Sequence, residues 1–101
     1  MGVDKMISQK LFGISRYYSE QEKSPEEITS FCNQYDVIFS NFISELQNEV
    51  DEFTFGILDE IFMICDSYEP NAEIRKVENY CIDELELQKK VRLALKKLRN
   101  Q

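Results

Sequence analysis

The chain has 101 residues, 43% hydrophobic and 12% aromatic, which is enough to bury one core without disulfide staples and too apolar for a disordered segment. Three glycines and two prolines leave little room for the tight turns of an all-β fold, and the absence of histidine removes the side chain most used for acid–base catalysis. The net charge of −7 disfavours nucleic acid as a direct ligand, because that requires a basic face against phosphates.

The N-terminus, MGVDKMISQK, lacks the charged-then-apolar order of a signal peptide, and Met6 stands where myristoylation wants Ser or Thr. A first helix is expected from about Asp4, a plausible N-cap, to Ser19, because Ile7, Leu11, Ile14 and Tyr18 recur at helical steps. The second has the strongest start signal: Ser24 as N-cap, Pro25 at the first helical position and Glu27 completing a capping box. Its wide apolar face, from Ile28 through Phe31, Tyr35, Phe39 and Phe42 to Leu46, predicts a single long helix, bent or straight, to about Val50. A third helix is expected from about Thr54 to Tyr68, stopped by Pro70. On it Ile57, Ile61, Ile64, Cys65 and Tyr68 share one face at 100° per residue, with Asp59 and Asp66 almost opposite. Phe62 and Met63 straddle the acidic side, either buried against a neighbouring helix or offered to a partner. Residues 70–82 read as an irregular link. Asp83 then caps a fourth helix with Glu86 three residues on, and Leu87, Val91, Ala94, Leu95 and Leu98 form its inward stripe. The pattern predicts an all-α fold, a compact antiparallel four-helix bundle, with residues 1–101 as one domain.

No apolar run approaches the roughly 18 residues of a membrane span. Cys32, Cys65 and Cys81 are odd in number and lack CxxC spacing, which suits reduced, partly buried thiols in a cytoplasmic protein. With no histidine and no ligand cluster, neither metal nor cofactor is expected. No phosphate loop or nucleophile elbow occurs, so the chain reads as a binding protein rather than an enzyme.

Charge is unevenly placed. Residues 89–101 hold six of the 12 basic residues and no acid, whereas Ser24 to Ile74 contain 12 acids and no Lys or Arg. The late cations match the negative end of the fourth helix, and a solvated helix face explains them better than membrane binding. The carboxylates of "CDSYEPNAE", Asp66, Glu69 and Glu73, oppose that rule: they sit beside the negative end of the third helix, inside the stretch without Lys or Arg. A solvated acidic surface is one reading. A face complementary to a basic partner is the other.

At Glu60 to Glu73, "EIFMICDSYEPNAE", the chain resembles the colicin D immunity protein family, the bacterial self-protective colicin-like immunity proteins. The resemblance is carried by Glu60, Phe62, Met63, Asp66, Tyr68, Glu69, Pro70, Ala72 and Glu73. It resumes at Tyr80, Ile82-Asp83 and Val91-Arg92, and more weakly at "SPEEITSFCNQY". Members are four-helix bundles that neutralise a toxin made by the same bacterium. The best-known such toxin is a ribonuclease cutting the anticodon loop of arginine tRNAs, and acidic side chains of the inhibitor cover its cleft in place of phosphates. The resemblance implies that role for Asp66, Glu69 and Glu73, with Glu60 and Tyr68 in support and Asp59 on the same exposed face. Asn71 stands where the colicin D type has an acid, so one charge contact is lost or rewritten. The stretch from Asp36 to Gly56 is longer and more aromatic than the family pattern, pointing to a different cognate toxin, from a bacteriocin or a contact-dependent growth inhibition system. The expected partner is a basic ribonuclease toxin domain, bound 1:1 by a monomer. A small acidic helical adaptor for another basic protein is the alternative.

Overall fold

A computed structural model describes residues 6–99; Asp4, the expected first cap, lies outside them. Six helices stand where four were expected: α1 (Ile7–Glu20), α2 (Pro25–Asn41), α3 (Ile43–Glu49), α4 (Glu52–Asp66), α5 (Ala72–Val77) and α6 (Glu84–Arg99). The class is all-α. The described residues form no strand, only an isolated parallel bridge between Tyr68 and Ile82. No helix among them is long and apolar enough to cross a membrane.

Helical spacing explains which faces meet. Ile28, Phe31, Cys32, Tyr35 and Phe39 on α2, Ile57, Leu58, Ile61, Ile64 and Cys65 on α4, and Leu87, Val91 and Ala94 on α6 are buried at three- and four-residue steps. These stripes close a ring, α1 packing on α2 and α6, and α4 on α2 and α6. Phe31, Tyr35 and Phe39 follow one another at i, i+4 along α2 and form an aromatic column. Phe31 stacks on Tyr18 with ring centroids 5.3 Å apart, and Phe39 stacks on Phe55 at 5.7 Å and Phe62 at 4.9 Å. The fully buried Tyr35 donates its hydroxyl to the Leu58 carbonyl at 2.7 Å. Burial, and then the neighbouring Cys65 and Asp59, push its phenol far up, so it remains a neutral donor.

The caps read from sequence form as expected at two helices. Ser24 and Glu27 make the reciprocal capping box of α2, and Asp83 accepts from the Glu86 N–H at 2.9 Å. At α4 the cap is Asp51, accepting from Thr54 N–H at 2.8 Å, so that helix starts and ends two residues earlier than expected. The long second helix is interrupted at Phe42, where φ −124° and ψ 27° leave the α region. No proline or glycine causes the break. Its consequence is that Phe42, counted on the apolar face by its spacing, is exposed together with Ile43, while Leu46 on α3 is fully buried.

The break also brings Glu49 to the start of α1, where its two carboxylate oxygens accept the backbone N–H groups of Ile7 at 3.1 Å and Ser8 at 3.0 Å. A residue 41 positions away thus caps α1, whose own N-cap, Met6, has no side-chain acceptor. The other end of α1 is closed from α6: Gln88 donates to the carbonyls of Tyr18 and Gln21, and Arg92 to that of Ser19 at 2.7 Å. Burial raises the Glu49 carboxyl pKa, but the hydrogen bonds from Ser8 and Ile7 outweigh it and hold the carboxyl below its ordinary value. A lowered folded pKa means stability that is present above the ordinary glutamate range and lost as pH falls through the folded value. Glu49→Ala is therefore expected to cost about 1 kcal/mol near neutral pH. Thermal melts at a series of pH values should show this gap narrowing as pH drops below about 4; a gap independent of pH would contradict the cap.

Candidate acidic interface at the end of the fourth helix

The second half of α4 and the chain that follows it carry the residues singled out from sequence. α4 stops at Asp66, and the next residues are tied down rather than loose. The Ile82 N–H donates to Ser67 O at 2.9 Å and the Glu69 N–H to Ile82 O at 3.0 Å, building the short bridge. Glu69 accepts the Asn71 N–H at 3.1 Å through its carboxylate, and its backbone carbonyl accepts from the Arg75 guanidinium. Asn71 accepts the N–H groups of Glu73 at 2.8 Å and Ile74 at 3.3 Å, which starts α5 inside a segment expected to be irregular.

That new helix changes the meaning of Glu73. It does not sit at the negative end of the preceding helix but in the first turn of α5, where an acid is favoured. Asn71, read as a lost charge, is the α5 cap.

Tyr68 is half-buried, and its hydroxyl donates to the Glu84 carboxylate at 2.7 Å and lies 3.3 Å from the Pro25 carbonyl. It ties the end of α4 to the starts of α2 and α6. Burial, then the Glu84 hydrogen bond, raise its phenol pKa.

The expectation that these acids lack internal partners needs correction for two of them. Glu60 turns toward α6 and pairs with Lys97 at 2.9 Å, and Glu73 pairs with Lys76 at 3.5 Å on an exposed surface. Lys76 is a local partner one helical turn beyond Glu73, whereas Lys97 is 37 positions from Glu60 and only the fold could bring it in. Asp59 and Asp66, two turns apart on the outer face of α4, are exposed and make no ion pair with another described residue.

One acid was not singled out. Asp36 of α2 lines, with Asp66, Asn33, Phe62 and the thiols of Cys32 and Cys65, a cleft of about 180 Å³ between α2 and α4. Nothing in its local sequence marks it. Only the packing of two helices sets its carboxylate beside that of Asp66. The Cys65 thiol is pushed up by its hydrogen bond with Cys32, by burial and by the nearby Asp36 and Asp66 carboxylates, so it stays a neutral thiol. Further round the end of α4, the exposed Tyr80 phenol is held above its ordinary value chiefly by Glu78, with Asp66 adding to it.

Phe62 and Met63 part company. Phe62 packs inward on Phe39, while Met63 is 55% exposed. Among the described residues no group of three or more Cys, Asp or Glu converges as a metal site. The arrangement offers an exposed, negatively charged helical surface.

A family model for bacterial self-protective colicin-like immunity matches residues 23–98. The chain belongs to this family. No curated protein and no solved structure matches it. The match runs from just before the α2 cap to the last turn of α6, and so contains the whole acidic surface and leaves out only α1 among the helices. A colicin-like immunity protein inhibits a toxin by binding it and is not an enzyme. Its function is therefore to bind a cognate toxin rather than to catalyse a reaction.

Proposed function

We propose that this immunity protein neutralises a bacterial ribonuclease toxin of the tRNA-cleaving kind by laying its acidic surface over the toxin's basic active-site cleft, where its carboxylates stand in for RNA phosphates. The observation that carries this is the exposed run of Asp59 and Asp66, with Asp36 across the cleft and Glu69 and Glu73 beyond, left largely free of internal cations. A cleft that holds RNA is basic, so it attracts such a surface at long range. Lys and Arg of the toxin would gain charge-assisted hydrogen bonds that the carboxylates lack in the free protein. Because the surface rests on α4 and on the hydrogen-bonded segment after it, little ordering is needed on binding. Asn71 and Tyr68 act as supports of that segment, and Glu60 is the acid with the firmest internal partner.

The inhibitor would act in the cytoplasm as a monomer in a 1:1 complex, in a bacteriocin or contact-dependent growth inhibition system. The test is co-expression with the toxin domain encoded beside this gene. Cells should survive, the two proteins should co-elute 1:1, and the association rate should fall about tenfold or more between 50 mM and 500 mM salt. A salt-insensitive association rate would rule out the electrostatic plug, and a neighbouring gene with no toxin-like product would sink the assignment.

A further inference from the structure

Beside the acidic surface lies a second feature that charge does not explain. A groove of about 450 Å³ opens between α4, α6 and the segment joining α5 to α6. Its floor includes Ile64 and Ile82, and Met63, Tyr80 and Leu93 stand around it 55%, 68% and 52% exposed. Three large apolar side chains left in water around one concavity represent apolar surface that a partner could cover. Met63 on the groove's rim lies one helical turn before Asp66, so a protein contacting Asp66 has the mouth of the groove within reach.

We infer that this groove receives an apolar side chain of the toxin domain, aliphatic or aromatic, projecting from the same basic surface that the carboxylates engage. The inference rests on the reading of the acidic surface as the toxin interface. Charge supports the choice of occupant. The two cations on the groove wall would repel a basic partner if free, but Lys97 is held by Glu60 at 2.9 Å and Lys90 lies 3.8 Å from Glu86. Each of these cations thus has a carboxylate partner, and the Glu78 and Asp66 carboxylates are near enough to Tyr80 to raise its phenol pKa. An apolar residue ringed by Lys and Arg fits both parts at once. In such interfaces the carboxylates set association and selectivity, while a buried central anchor sets the lifetime of the complex.

The decisive variant is Met63→Asp with Leu93→Asp, measured against the purified toxin domain encoded beside this gene. Both positions are exposed on helices, so circular dichroism and melting temperature should stay near wild type. The two added carboxylates favour a basic partner, so charge alone predicts unchanged or tighter binding. The groove inference instead predicts affinity about 30-fold or more weaker, through faster dissociation, with association as fast as wild type or faster. Tyr80→Ala, outside any helix, should alone weaken binding about tenfold and serves if the double variant misfolds.

Wild-type or better affinity in these variants, with binding lost in an Asp66→Lys, Glu69→Lys, Glu73→Lys protein, would overturn the groove inference and leave the acidic interface standing. Loss in the groove variants with wild-type binding by the lysine protein would uphold the groove and overturn the acidic interface. Wild-type binding by both would overturn both.

Discussion

Changing Asp66, Glu69 and Glu73 together to lysine is expected to lower affinity for the toxin domain by about 10³-fold or more and to abolish protection of cells. Double-mutant cycles on close interfacial charge pairs give coupling of about 1.5–7 kcal/mol each, so three reversals against a basic cleft readily reach that size. The fold should tolerate them. Asp66 is exposed and makes no ion pair with a described residue. Glu69 gives up one exposed hydrogen bond to Asn71 N–H. Glu73 gives up a surface pair with Lys76, a kind of contact with a median worth of about 0–1 kcal/mol. Helical circular dichroism should therefore match wild type. Among single changes Asp66→Lys should be the most damaging, because it also opposes Asp36 across the cleft and removes the charge with least internal compensation. Survival of cells carrying the triple variant would move the interface elsewhere on the molecule.

The largest effect on stability is expected at Phe39. Its ring is 2% exposed and stacks on Tyr35, Phe55 and Phe62, so it joins the aromatic column of α2 to α4. Truncation to alanine removes the buried ring and leaves a cavity between two helices that cannot close on it, a loss of about 3–5 kcal/mol. For a domain whose total stability is of order 5–15 kcal/mol, that is a fall in melting temperature of about 15–30 °C. Val37→Ala, two residues earlier on the same helix and 57% exposed, should change stability by less than about 0.5 kcal/mol. A Phe39→Ala melting temperature within about 3 °C of wild type would show that the column is not the keystone described here.

Much of the helical layout was legible because the rules that make helices are local. Ser24 and Glu27 bracket one turn, Asp83 and Glu86 another, and the buried stripes of α4 and α6 follow from residues three and four apart. Two local readings failed for reasons that are also physical. Periodicity continued from Phe39 through Phe42 to Leu46 and predicted one helix, yet the chain breaks at Phe42, where the reward is a cap that Glu49 supplies to α1. Pro70 was read as the head of an irregular link, but Asn71 supplies the acceptor that starts α5, a short helix with too little periodicity to be seen.

The candidate site divides in the same way. The sequence by itself determined that the protein is acidic and helical, that its carboxylates gather around the end of the α4 helix, and that this stretch resembles an immunity protein, because composition, phase and motif are properties of neighbouring residues. Only the tertiary structure decided which of those carboxylates remain free. Glu60 is paired by Lys97, 37 positions away; Tyr68 is tied to Glu84 and Pro25; Asp36 is added to the surface and Met63 left standing over a groove. Pairing, exposure and concavity depend on which helices are packed side by side, and that is set by burial of the common core rather than by any residue's neighbours in the chain.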